Sequence, residues 1–469
     1  MNVSAPKPGF LHYVKETVRQ AWPVLISAWA SMAFGVMDTA MAGHAGAAEL
    51  QAMSLAVSIY ITIFIGLMGV IHALIPIIGQ HYGGKRLLEV GRAWSQGVWL
   101  ALALSVLGAI PMLFPDIWLM LSGDIDPAVR DGVTWYLRAL ILALPASLVF
   151  RSIYALGTAV SRPKIVMAIN LACIGVKAFF NWVLIFGKFG APVMGAAGAG
   201  LSTAITSWFS LAAGLWIIRH DKFFSQFELR LYRPRWVDQK ELLRLGIPMG
   251  GSYLVEVCAF TFMALLIARE GMYATGGHQI TANLMAVCYM LPMSIGIASA
   301  SLTAQAIGAQ DMARARQTGL AGLTISLLGA LLTVALVVSG QPLILAAYTD
   351  DLQVAAMAAA LLQILPYFHL CDAMQCINSY LLRAYKIAVV PLLMQVIALT
   401  GLGLIGGWLL GFGPLAGALQ PVLNVLMPGA PVGAASMWLM AALGLGLAAL
   451  LQHLWYWRVV RRHEREHGR

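Results

Sequence analysis

Charge is scarce in this sequence. Of 469 residues, 11% are Asp, Glu, Lys or Arg and 60% are hydrophobic, whereas an ordinary soluble domain carries about 25% charged residues. A water-soluble chain of this length has no means of covering its surface with so few charges. Cysteine is scarce too. Cys173, Cys258, Cys288, Cys371 and Cys376 all lie in apolar runs, with no CxxC pair and no histidine cluster at ligand spacing. That pattern argues against a disulfide scaffold or a thiolate metal centre and leaves the cysteines as small apolar filler. The nucleotide-binding loop GxxxxGK[ST] is absent, as are HExxH and GxSxG, so neither ATP hydrolysis nor the common hydrolase chemistries have residues to run on. Gly401-x-Gly403-x-x-Gly406 has the letters of a dinucleotide loop but sits inside an apolar run. The scattered histidines His44, His72, His81, His278 and His369 show no ligand spacing; His369, three residues before Asp372, is a candidate for a proton relay.

What the chain has in abundance is apolar runs of membrane-spanning length. Crossing about 30 Å of hydrocarbon at 1.5 Å per residue takes roughly 20 residues. Apolar runs and breakers give spans at 17–42, 51–79, 93–114, 132–158, 163–187, 195–218, 241–268, 277–307, 317–339, 353–382, 388–412 and 431–457. The predicted fold class is an all-α membrane protein of twelve transmembrane helices. The N-terminus does not read as a cleavable signal, since Pro6, Lys7, Pro8, Lys15, Glu16 and Arg19 leave no compact apolar core there.

The formal net charge of +10 follows topology. One set of loops holds Lys85, Arg86 and Arg92, then Arg162 and Lys164, then Arg219, Lys222, Arg230, Arg233 and Arg235. The same set continues with Arg314 and Arg316, Arg383 and Lys386, and a tail of Arg461, Arg462, Arg465 and Arg469. Alternate loops are acidic, with Asp116, Asp124 and Asp126 in one and Asp350 and Asp351 in another. The positive-inside bias puts the basic loops and both termini in the cytoplasm, so nucleic acid is not an expected partner.

The chain also repeats. Pro23 and Pro248 open spans one and seven, 225 positions apart. Gln80-x-x-Gly83 matches Gln305-x-x-Gly308 at the same shift, and Trp182-x-x-x-Phe186-Gly187 matches Trp408-x-x-x-Phe412-Gly413 one position later. Three matches in order predict two pseudo-symmetric six-helix bundles in a parallel 6+6 repeat, an arrangement found in transporters. The expected division is an N-terminal bundle over 1–218, a basic cytoplasmic linker over 219–240, a C-terminal bundle over 241–457 and a basic tail over 458–469.

Three acids lie well inside predicted spans: Asp38, Glu256 and Asp372. An ionised carboxylate in hydrocarbon costs about 2.5–3.5 kcal/mol on insertion scales, so each needs a reason. Shifted by the repeat, Glu256 falls on Ser31, Asp372 on Ala146 and Asp38 on Met263, so the acids are asymmetric on a symmetric scaffold. Desolvation favours a protonated carboxyl and a bound cation favours the ionised form; that competition is the minimum equipment for antiport. Lys177 is embedded in span five between Asn170 and Asn181, as a candidate partner of Asp38 in an N-bundle polar site. Around the C-terminal acids lie Gln279, Asn283 and Tyr289 on span eight, and Tyr367 and Asn378 on span ten. The Tyr289 ring is a candidate to face a bound cation.

The sequence resembles the multidrug and toxic compound extrusion (MATE) family, in its bacterial NorM-like branch. The resemblance rests on Pro23, MDTAMAG at 37–43, GQHYGGKR at 79–86, Asn181-Trp182, GIPMGGSYLVEVCAF at 246–260, Gln305-x-x-Gly308 and Asp372. It implies export of cationic or polyaromatic compounds from the bacterial inner membrane, coupled to Na⁺ or H⁺ by alternating access. It further implies that Glu256 and Asp372 are the cation-coupling acids, holding Na⁺ if the coupling ion is sodium. Tyr289 would lie beside them, Asp38 would be the acid of the N-terminal bundle, and Asp351 resembles a substrate-touching acid of this branch. Gln279, Asn283 and Asp372 complete the expected substrate-binding set. Lys177 departs from the family pattern, where many relatives carry Asn. The expected partners are small cationic or aromatic drugs, the coupling cation and membrane lipid, with no ATP and no cofactor beyond that ion. Export of a specific metabolite, and a flippase for lipid-linked oligosaccharide in the same superfamily, are the alternative readings.

Overall fold

The structure, a computed structural model, describes residues 8–120 and 126–467; Asp124, Arg469 and the first seven residues lie outside them. Among the described residues every regular element is helical. Eleven helices are long and apolar enough to cross a membrane, and a bent pair makes a twelfth span. In chain order they are α1 (Phe10–Ala45), α2 (Ala47–Gly83), α3 (Leu87–Met112), α4 (Pro127–Ala159), α5 (Lys164–Phe186) and α6 (Gly195–His220). The second half repeats the series as α7 (Trp236–Glu270), α8 (Met272–Gly308), α9 (Met312–Tyr348), α10 (Leu352–Leu362 with Leu365–Ala384), α11 (Val389–Gly411) and α12 (Val432–Glu466). Each apolar run read from the sequence therefore carries one helix. Side chains such as Val106, Leu107 and Ile110 on α3, or Leu328 and Leu332 on α9, stay exposed, as a lipid-facing surface requires.

Two spans depart from regular α-helix, and both depart next to polar residues. The halves of α10 meet at 55° just before Pro366, whose ring and missing N–H disfavour helix in the preceding turn. In α11, Val396–Ile405 is a π-helix, a wide-turn geometry that concentrates at functional sites; it begins immediately after Gln395.

By contacts the chain forms two compact units, one of Pro23–Gly251 and one of the residues through Trp22 together with those from Ser252 onward. In the first unit α4 packs against α6, α2 and α3, and α5 lies on α6. The second unit repeats the scheme, with α10 against α12, α8 and α9, and α11 on α12. The division falls inside α1 and α7 near their prolines, not at the linker expected over 219–240. Residues 236–251 stay with the first unit because glycines admit a close approach: a Cβ on Gly246 would sit 2.6 Å from the Val70 carbonyl oxygen of α2, and one on Gly250 would sit 2.5 Å from that of Gly66. Small residues four apart let helix backbones meet where lipid offers no hydrophobic drive to association. The linker is itself tied down in this unit. Gln96 of α3 donates to the Arg233 carbonyl at 2.9 Å and accepts from the Arg235 amide at 3.0 Å, while Trp99 donates to the Tyr232 carbonyl at 2.8 Å.

A second correspondence joins the two units' designs. Glu49, in the first turn of α2, accepts a hydrogen bond from the Ala196 amide at the start of α6 at 2.6 Å. Glu270, at the end of α7, accepts from the Gly433 and Ala434 amides at the start of α12 at 2.7 and 2.8 Å. A carboxylate at a helix N-terminus satisfies orphan amides and complements the dipole. Any Cβ at Gly195 or Gly433 would collide with these carboxylates.

Candidate functional site

In the second unit the polar groups gather on the facing sides of α7, α8, α10 and α11. Glu256 is half-buried on α7, eight residues beyond Pro248, and its Oε1 accepts from Nε2 of Gln395 on α11 at 2.9 Å. Using the Gln395 amide this way leaves its Oε1 buried without a hydrogen-bond partner. Asp372 lies in the second half of α10, 9% exposed. One turn further on, the Cys376 thiol donates to the Tyr289 hydroxyl of α8 across 3.6 Å. One turn earlier, Phe368 packs edge-on against Trp438 of α12 with centroids 5.2 Å apart, and Phe260 of α7 joins them. These rings form an apolar wall on one side of Asp372. Tyr289 thus reaches α10 one turn from Asp372, while Glu256 is held from α11 in the same unit.

Arg383, predicted from the sequence to lie in a basic loop, is instead part of a helix. Helix α10 continues to Ala384, so Arg383 is in its last turn and only 4% exposed. Its Nη1 donates to the Tyr253 hydroxyl at 3.0 Å, and its guanidinium lies 5.0 Å from the Tyr253 ring centroid and 4.6 Å from that of Tyr380. The Tyr253 and Tyr380 hydroxyls are 2.7 Å apart. A signal was present in the spacing. Eleven residues return a helix nearly to the same face, so Arg383 shares the Asp372 side of α10.

In the first unit Asp38 and Lys177 form an ion pair at 2.9 Å, with side chains 10% and 2% exposed. Asn181 donates Nδ2 to the same Asp38 oxygen at 2.7 Å, and the Lys177 ammonium donates to the Thr203 hydroxyl of α6 at 2.6 Å. The three residues expected as a polar site are therefore one hydrogen-bonded group. Asn170, near them on α5, donates to the Ser27 hydroxyl at 2.6 Å.

The remaining candidates are dispersed. Gln279 is exposed, and Asn283, also exposed, accepts from the Tyr348 hydroxyl at 2.6 Å. Asp351 caps α10, accepting from the Gln353 and Val354 amides at 2.8 and 3.2 Å. Tyr367 is exposed. Asn378 pairs with His453 of α12 at 3.1 Å. His369 is buried, with no hydrogen-bond partner for either ring nitrogen.

Chemically, the second unit offers two carboxylates and an unused amide oxygen, all hard oxygen donors suited to Na⁺ or a proton rather than to a soft metal. The first unit offers an acid already matched by a base.

A model of the MatE family matches residues 23–183 and again 248–409, two copies offset by the same 225 positions as the sequence repeat. The probable multidrug resistance protein NorM of Aromatoleum aromaticum is 37% identical over 418 residues, 87% of this chain and 89% of that protein. The multidrug resistance protein NorM of Vibrio cholerae serotype O1 is 32% identical over 456 residues, covering 95% and 96%. The fold is that of the eukaryotic MATE transporter AtDTX14, with TM-score 0.85, 19% identity and coverage of 98% of this chain and 100% of that one. It is also that of an outward-facing multidrug resistance MATE family transporter, with TM-score 0.83, 16% identity and coverage of 97% of each. On the doubled family match and the full-length relatives, the chain belongs to the multidrug and toxic compound extrusion (MatE) family of transporters.

Proposed function

We propose that this chain is a multidrug exporter of the bacterial inner membrane, both termini cytoplasmic, that exchanges cationic or polyaromatic compounds for Na⁺ or H⁺ by alternating access. The observation that carries the reading is the cluster of Glu256, Asp372 and the unpartnered Gln395 Oε1 inside one unit. A coupling cation loads from outside onto the two carboxylates and, by competing for the same negative charge, releases bound drug. Its departure inward resets the site. One charge crossing 100 mV supplies about 2.3 kcal/mol, which is available for export of an uncharged compound, whereas one-for-one exchange with a monovalent cationic drug is electroneutral and draws on the concentration gradient of the ion alone. Tyr289 offers its ring to the bound cation, while Gln279, Asn283 and Asp351 are the exposed polar groups available to substrate. The relatives' names support a multidrug substrate range.

The test is ethidium efflux from proteoliposomes under imposed Na⁺ or H⁺ gradients, for the native chain, Glu256→Gln and Asp372→Asn. Gradient-driven efflux in the native chain that disappears in both variants, at normal protein levels, is the expected result. Efflux that survives both substitutions would show that the coupling site lies elsewhere.

A further inference from the structure

Arg383 presents a problem of charge that its own contacts do not solve. A guanidinium does not give up its proton in a protein, so it carries +1 wherever it is placed. At 4% exposure it has lost its water, and a buried charge needs compensation on the scale of several kcal/mol. What touches it is neutral: one hydroxyl and two aromatic faces. Among the described residues no carboxylate is in ion-pair contact with it. The acid tied to it most directly by geometry is Glu256: Tyr253, which Arg383 holds, lies one helical turn from Glu256 on the same side of α7. Asp372 lies on the Arg383 side of α10, three turns away, about 16 Å along the axis.

With both acids ionised, the group therefore carries a net charge of minus one, not minus two. One monovalent cation brings it to zero. A second would leave an uncompensated positive charge inside the unit, the situation that makes broken buried pairs so unfavourable. We propose that Arg383 is the fixed counter-charge of the Glu256–Asp372 site and limits it to one monovalent coupling cation for each drug molecule exported. Arg383 acts here as a specificity-determining residue, setting the exchange ratio without binding the cation itself. The inference rests on the reading of Glu256 and Asp372 as the coupling acids.

The exchange ratio is read from the ethidium gradient that an ion gradient sustains in proteoliposomes clamped at zero membrane potential. At one ion per ethidium, a tenfold gradient of the driving ion balances an ethidium gradient of about tenfold; at two ions it balances about a hundredfold. The native chain and Arg383→Lys are expected at about tenfold and Arg383→Gln at about a hundredfold. Gln395→Glu adds a negative charge beside Glu256 while keeping Arg383, and is also expected at about a hundredfold, which keeps the test decisive if Arg383→Gln does not fold. Glu256→Gln leaves a group of zero net charge and loses coupling, and adding Arg383→Gln to it restores coupling at about tenfold. A tenfold limit in both Arg383→Gln and Gln395→Glu would overturn the proposal. So would a double variant that stays uncoupled although Arg383→Gln alone is active. If Glu256→Gln and Asp372→Asn each keep the native coupling, it is the assignment of the acids that fails, and this inference falls with it.

Discussion

Replacing Lys177 with Met removes the base from a pair held at 2.9 Å, with 2% and 10% of the two side chains exposed. The Asp38 carboxylate would keep a single hydrogen bond, from Asn181 at 2.7 Å. Breaking a buried pair from one side costs about 3–5 kcal/mol, because the other charge is left uncompensated. Asp38→Asn should cost a similar amount, since it leaves the ammonium without a counter-charge, its remaining partners, such as the Thr203 hydroxyl at 2.6 Å, being neutral. Replacing both at once removes both charges, and buried pairs exchanged for neutral groups are often neutral or better. The double variant should therefore stand near the native chain, and the coupling energy of the cycle should be about 6–10 kcal/mol, the sum of the two single losses. An unfolding entropy of roughly 2 cal/mol/K per residue makes 1 kcal/mol worth about 1 °C for a chain this long. Each single variant should thus melt about 3–5 °C below the native protein, and Asp38→Asn/Lys177→Met within about 1 °C of it. The assay is thermal unfolding of the purified chain in detergent, with ethidium efflux measured in parallel; efflux lost in Lys177→Met should partly return in the double variant. Additive losses, with the double variant lower than either single one, would refute the argument that the two charges exist for one another.

Glu49→Gln and Glu270→Gln remove the carboxylates that cap α6 and α12. Each should lower thermal stability by about 1 kcal/mol, with the two effects adding because the caps belong to separate helices; a double variant no less stable than either single one would contradict this. Gln96→Ala removes the side chain that holds the linker carbonyl of Arg233 and the amide of Arg235. Each lost bond is worth about 0.5–1.5 kcal/mol, since the exposed partners can turn to water, so tryptic cleavage after Arg230 or Arg235 should accelerate about tenfold. An unchanged cleavage rate would mean that the linker is held by something else.

Most of the scaffold was legible because lipid imposes strong rules. A span needs a long apolar run, and an acid within such a run is conspicuous, so the twelve helices, the repeat and the roles of Glu256, Asp372, Asp38 and Lys177 as deep charges could be read from spacing alone. The residues that were missed lie where those rules lose force, at the ends of runs. Arg383 reads as a loop charge because the hydropathy of its span fades just before it, although the helix does not stop there. Glu49 and Glu270 sit near boundaries where a glutamate ordinarily faces water, and nothing in the sequence indicates that each meets a distant helix terminus. The division of the two units inside α1 and α7 was hidden for a related reason: packing between segments far apart in sequence depends on small-residue contacts such as Gly250 against Gly66, which periodicity does not reveal.

The two units share one packing scheme and differ in charge, and that difference bears on how such a protein exchanges ions. Shifted by 225 positions, Glu256 meets Ser31, Asp38 meets Met263, Lys177 meets Leu402 and Arg383 meets Thr158. None of the buried charges is inherited from a common half; each was placed on one side only. In the first unit the acid has a base at contact distance, so it has no charge left to offer a mobile cation, and a cation could enter only by displacing a tethered one. In the second unit the base stands off behind two tyrosine rings, near enough to offset one acid and too far to close either. A tethered ammonium in contact closes a site, whereas a guanidinium held at a distance leaves it open while setting its capacity. If Glu256 and Asp372 couple transport as proposed, the exchangeable charge belongs to the second unit, and the symmetric scaffold carries two halves that are chemically unlike.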